Sequence, residues 1–221
     1  MARIDTLSNF LTDVADAIRT KSGSSEQIDA EDFDTEIENI PSGSGNNAFI
    51  DTSKNYNPSA GIRSFITSID LIDTSNMTNM QNFFEYFIRL TSIPLINTSN
   101  VTNMQSMFSQ CGSLLEMPLI DTSKVTNMRF MFSGCSSLIT IPVLNTSSAT
   151  NLQQMFLQCT SLSDESLNNI LQMCINASAF TDTKTLSYLG FNLMSSTYPA
   201  SRIQALSNYD DFIDAGWTIG Y

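Results

Sequence analysis

A twelve-residue phrase that returns every 24 residues constrains this chain more than any other feature. Asp73-Thr-Ser-Asn-Met-Thr-Asn-Met-Gln-Asn-Phe-Phe is followed by Asn97-Thr-Ser-Asn-Val-Thr-Asn-Met-Gln-Ser-Met-Phe, then by Asp121-Thr-Ser-Lys-Val-Thr-Asn-Met-Arg-Phe-Met-Phe and by Asn145-Thr-Ser-Ser-Ala-Thr-Asn-Leu-Gln-Gln-Met-Phe. A fixed period between about 20 and 50 residues predicts stacked repeats, each unit covering the apolar face of the last. The aligned apolar columns are Met80, Met104, Met128, Leu152; Phe84, Phe108, Phe132, Phe156; Leu90, Leu114, Leu138, Leu162; Ile93, Met117, Ile141; and Leu95, Leu119, Val143. Their spacing of about three predicts an inward-facing core around a closed turn. Asn79, Asn103, Asn127 and Asn151 form a polar column expected to face inward and bond the backbone of neighbouring turns. Pro94, Pro118 and Pro142 stack in register. A residue without an N–H breaks a parallel ladder, so any strand near Ile93 is expected to be short.

Composition narrows the function. Of 221 residues, 42% are hydrophobic but only 14% charged, and the formal charge is −12. An acidic surface repels phosphate backbones and anionic lipid, so neither nucleic acid nor membrane is expected as a partner. No apolar run is long enough to predict a membrane span, and no signal peptide is read at the start of the sequence. The chain has no histidine, which removes imidazole-based catalysis and imidazole metal ligation.

In chain order, Ile4, Leu7, Leu11, Val14 and Ile18 step by three and four, which predicts a helix with an apolar seam. That seam fits either packing on a neighbouring helix or self-association and docking. A second short helix is expected from about 30 to 40, with Phe33, Ile37 and Ile40 on one face. Such a hairpin is too small to be robust alone. Residues 41–47 are a linker by composition. The repeats are expected from 48 to 162, opening on a degenerate unit. Residues 163–221 are expected to form an α/β cap, with helices over about 164–177 and 199–215 and strands over 185–189 and 216–219. The predicted fold class is therefore an α/β solenoid of 24-residue repeats, with an N-terminal helical hairpin (residues 1–40) and that cap.

The repeat Asp/Asn-Thr-Ser-x-Val-Thr-Asn-Met-x-x-Met-Phe-x-x-Cys-x-x-Leu-x-x-Ile-Pro resembles the BspA-like leucine-rich repeat family of bacterial surface proteins and phages, over about residues 65 to 162. Thr185-Leu-Ser-Tyr-Leu-Gly-Phe with Ala215-Gly-Trp-Thr-Ile looks like the cap that often ends such arrays. Phe10-Leu-Thr-Asp-Val-Ala-Asp-Ala-Ile-Arg-Thr-Lys-Ser-Gly-Ser-Ser with Asp32-Phe-Asp-Thr-Glu-Ile resembles a module of phage tail and baseplate proteins from Gram-positive hosts, over about residues 6 to 40. These resemblances imply a non-enzymatic virion protein, a tail or baseplate fibre or a head decoration. It would attach to other virion proteins through Ile4, Leu7, Leu11, Val14 and Ile18, form homo-oligomers and hold a host-surface ligand on its repeats. Virion localisation is consistent with the absence of a signal peptide. The repeat family alone also permits a bacterial adhesin or effector.

Candidate chemistry is sparse, and no cofactor is expected. Cys111, Cys135 and Cys159 fall in one column with Phe87, and Cys174 lies in the expected cap. Neighbouring rungs about 4.8 Å apart would tolerate a disulfide, but the shared place with Phe87 favours buried free thiols. Cysteines two rungs apart, about 10 Å, are too distant to share a zinc ion. The column Asp73, Asn97, Asp121, Asn145 could hold Ca²⁺, yet turn capping explains the same residues without metal. Asp73 and Asp121 as a glycosidase pair lack apolar surroundings to raise a pKa. Ser68, Ser92, Glu116 and Thr140 form an outward column, either a solvated face or a ligand surface.

Overall fold

The computed structural model describes residues 47–50, 63, 66–72, 74–191 and 197–220. The expected helical hairpin and the seam Ile4, Leu7, Leu11, Val14 and Ile18 lie outside the described residues, as does Asp73. Among those described, the elements are strands β1 (Asn47–Ile50) and β2 (Ser68–Ile72) and helices α1 (Asp164–Asn176), α2 (Ala200–Gln204) and α3 (Tyr209–Asp214). β1 pairs in parallel with β2, from Asn47 opposite Ser68 to Ile50 opposite Ile72, with a shift between Ala48 and Phe49.

This corrects the expected α/β solenoid. From Thr74 to Leu162 the chain is turn and coil, without helix or strand. The strand-like pairing between these turns is limited to isolated parallel bridges: Asn79 to Asn103, Asn103 to Asn127, Asn127 to Asn151, and Glu116 to Thr140. The reason is in the backbone. Asn82, Ser106, Phe130 and Gln154 have φ between 53° and 59°, and Tyr86, Gln110, Gly134 and Gln158 also have positive φ. Two left-handed residues per turn prevent an extended run there, and the proline column interrupts another.

Turns a period apart are nonetheless bonded in register, in both directions. Met80, Phe84 and Tyr86 donate their N–H groups to the carbonyls of Asn103, Met107 and Ser109, and the same pattern recurs one turn later. Thr102, Thr126 and Thr150 donate backward to Thr78, Thr102 and Thr126. The buried hydroxyls of Thr74, Thr98 and Thr122 reach forward to the carbonyls of Asn97, Asp121 and Asn145, at 2.7, 2.7 and 2.9 Å. These bonds satisfy backbone groups that the absent strands would have paired.

The core follows the columns with two corrections. Leu95 is 80% and Leu119 65% exposed, and Val143 is also exposed, whereas their neighbours Ile96, Ile120 and Leu144 are buried. Each pair is adjacent in sequence, so a spacing of three could not choose between them. The asparagine column is not inward either. Asn79 is exposed and the others half-buried. Their Oδ1 atoms accept from the N–H two residues on, in Gln81, Gln105, Arg129 and Gln153. At the centre Phe84, Phe108, Phe132 and Phe156 stack with centroids 5.2, 5.7 and 5.7 Å apart.

The C-terminal segment closes this column with less regular structure than expected. α1 matches the expected helix, but the helix expected over 199–215 is divided into α2 and α3. The two expected strands reduce to a single bridge between Thr185 and Thr218. The backbone at Tyr188 and Leu189 accepts the N–H groups of Gln154 and Phe156, in place of a further turn.

Candidate binding surface of the turns

The outward column is assembled by the backbone register beside it. Thr91 N–H donates to Thr67, Leu115 to Thr91 and Ile139 to Leu115, at 3.2, 3.3 and 2.9 Å. Ser68, Ser92, Glu116 and Thr140 each follow one of these rungs and so share a strip. Ser68 is half-buried on β2, and the other three are exposed. Sequence reasoning missed what flanks them. Leu95, Leu119 and Val143, three residues after Ser92, Glu116 and Thr140, are exposed, and exposed Leu115 and Ile139 precede Glu116 and Thr140 directly. The strip is therefore apolar with a polar row, and Glu116 is the acidic member of that row. The available signal was the Leu-Ile doublet, in which only one member can point inward.

The other candidate residues have structural roles. Asn97, Asp121 and Asn145 cap their own turns, their Oδ1 atoms accepting from the N–H groups of Ser99, Ser123 and Ser147 at 3.1, 2.9 and 3.0 Å. Hydrogen bonds from Ser123 hold the Asp121 carboxyl below its ordinary range. Among the described residues, no group of three or more His, Cys, Asp or Glu side chains converges as a metal site. All four cysteines are free and buried. The thiols of Cys111, Cys135 and Cys159 donate to the carbonyls of Phe84, Phe108 and Phe132 at 3.0, 3.1 and 3.1 Å. Burial raises every thiol pKa, that of Cys159 to about 12.

A second cluster lies on another part of the turn. Arg129 stacks on Phe130, with 4.6 Å from its guanidinium carbon to the ring centroid. The Tyr188 hydroxyl donates to Asp182 at 2.9 Å. Burial, with Asp182 beside it, pushes the Tyr188 phenol up to about 12. No described helix is long and apolar enough to cross a membrane.

Turns bonded one upon another, with side-chain columns exposed along their flanks, define a repeat protein. The chain belongs to the family described as "Mycoplasma protein of unknown function, DUF285", which matches residues 53–170 and again 115–188. That family is associated with BspA-like repeat proteins. No curated protein and no solved structure matches the chain.

Proposed function

We propose that this protein is a non-enzymatic component of a virion, a tail or baseplate fibre or a head decoration, whose repeats hold a host-surface ligand. The observation that carries the binding half is the exposed strip of Leu95, Leu119, Val143, Leu115 and Ile139 around Ser92, Glu116 and Thr140. Apolar side chains grouped on three successive turns are more than the scattered exposure of an inert surface. The virion half rests on the resemblance of residues 6–40 to tail and baseplate modules. In this reading Ile4, Leu7, Leu11, Val14 and Ile18 form the seam to other virion proteins or to further copies of the chain. A net charge of −12 disfavours nucleic acid and anionic membrane as partners.

Mass spectrometry of purified particles tests the location, and labelled protein on host cells tests the strip. Leu95→Asp with Leu119→Asp is expected to abolish cell binding while leaving the melting temperature near that of the wild type, because both side chains face solvent. Unchanged cell binding would overturn the strip. The second reading is a bacterial surface adhesin or effector, favoured by the family's description as Mycoplasma proteins. Recovery from the cell-surface fraction, and not from particles, would establish it.

A further inference from the structure

The exposed strip also carries charge, and the charge restricts what can cover it. Ser163 N–H donates to the Ile139 carbonyl at 3.1 Å, as Ile139 does to Leu115 and Leu115 to Thr91. Asp164 therefore follows the next rung and extends the row Ser92, Glu116, Thr140 onto α1, with Glu165 directly after it. Glu116, Asp164 and Glu165 are all exposed. Asp164 is paired with Arg202 at 2.7 Å, whereas Glu116 and Glu165 form no ion pair or side-chain hydrogen bond among the described residues. Exposed Arg89 lies on the preceding turn, three places before Ser92, and is likewise without an ion pair among the described residues.

Glu116 is grouped with aliphatic side chains. Exposed Leu115 precedes it, exposed Leu119 follows three residues later, and exposed Ile139 is bonded to Leu115 on the next turn. A partner that covered these side chains would exclude water from the carboxylate, and a charge pair formed there would outweigh one on an open surface. Charge then decides among occupants. A second copy would bring another net charge of −12, and an anionic polymer would be repelled in the same way. A cationic polypeptide with aliphatic side chains satisfies both the apolar groups and the carboxylates. Glu116 and Asp164 are two rungs apart, about 10 Å at about 4.8 Å per rung. That spacing fits a chain in polyproline II conformation, where residues three apart share one side about 9 Å from each other.

We infer that the strip takes a cationic segment of a host-surface protein, with basic residues three apart set among aliphatic ones. One cation lies on Glu116 and the next on the Asp164 and Glu165 carboxylates. The inference rests on the binding role proposed above and names the class of its partner.

The test is a titration of the full chain with the peptide acetyl-Lys-Leu-Thr-Lys-Leu-amide, followed through the methyl signals of Leu115, Leu119 and Ile139. Saturable shifts are expected, weakened by added salt and absent with the peptide in which both lysines are replaced by glutamate. Glu116→Gln should weaken binding about threefold, the scale of one exposed ion pair, and Glu116→Lys should abolish it. Arg89→Gln should strengthen it by removing a like charge. All these side chains face solvent, so unchanged melting temperatures serve as the folding control. If the lysine peptide leaves the methyl signals unmoved, or if the glutamate peptide or the Glu116→Lys variant binds equally well, the assignment is overturned. On host cells, loss of binding after protease treatment supports a polypeptide partner. Binding that survives protease and is lost after periodate oxidation overturns it and leaves the host-ligand role standing. Peptide binding by a protein that does not adhere to cells would sink the functional reading alone.

Discussion

Residues with left-handed backbone set the shape of each turn, and their identities show how much strain the stack tolerates. Gly134 shares its place with Tyr86, Gln110 and Gln158, all at positive φ. Gly134→Ala should lose about 1–2 kcal/mol, the cost of a Cβ in this region, and the new carbon would meet the Gln110 amide at 2.5 Å. Gln158→Gly should stabilise by less than about 1 kcal/mol, because relief of strain is offset by the greater freedom of glycine in the unfolded chain. Urea unfolding of the two variants checks both signs. The cysteines make a second prediction at this scale. Their folded pKa values are raised by burial, that of Cys159 to about 12, whereas unfolded thiols titrate near 8.5. The unfolded chain then binds fewer protons above about pH 8.5, so stability is fully present below that pH and falls as pH rises toward the folded values. The urea midpoint should be lower at pH 10 than at pH 7.5, and Cys159→Ala should shrink the difference. Equal midpoints at the two values would contradict thiol burial.

Among the elements, α1 shows how regular structure is fastened to an irregular column. The Ser163 hydroxyl caps it by accepting from Ser166 N–H at 3.1 Å, and Asp164 and Glu165 lie in its positively polarised first turn. Ser166 is fully buried, donating to the Ile139 carbonyl at 2.8 Å and accepting from Ile141 N–H at 3.0 Å. Ser163→Ala should cost about 1 kcal/mol through the lost cap. Ser166→Ala should cost more, about 1–3 kcal/mol, because it strands buried groups on the preceding turn. Thermal melts of the pair decide the order, and a milder Ser166 variant would mean that α1 is not anchored there. The division of the expected C-terminal helix has a similar tertiary cause. Asn208 donates its N–H to the Asn168 side chain and its amide to Asn168 and Gln172, all on α1, instead of continuing a helix of its own.

Across the whole molecule, order passes from turn to turn through bonds between residues about one period apart. Contacts of this kind make stability close to a sum of units and neighbour interfaces. Deleting residues 97–120, one full period, brings residue 121 after residue 96 and restores every column. The shortened protein should melt cooperatively. Deleting residues 97–119 shifts each later side chain by one place, directing Phe132 and Leu138 away from the core, and should abolish cooperative melting. Circular dichroism on the two deletions separates the outcomes, and equal behaviour would show that register does not hold the stack. No change in melting temperature is expected in EDTA, because Asn97, Asp121 and Asn145 are occupied as turn caps.

The sequence by itself determined the period, which residues stack, and most of the buried columns, because repetition exposes equivalent places without any knowledge of backbone path. The outward row Ser92, Glu116, Thr140 was legible for the same reason. It could not distinguish Leu95 from Ile96, since adjacent apolar residues satisfy a spacing of three equally well. It also predicted helices and strands in an α/β arrangement where the turns have neither, because left-handed φ at Ser106, Gln110 or Phe130 has no signature in residue type. Only the tertiary structure decided these points. A closed turn of this length must bend at fixed places, and the bonds from the next turn hold those bends in conformations that the local sequence would not choose.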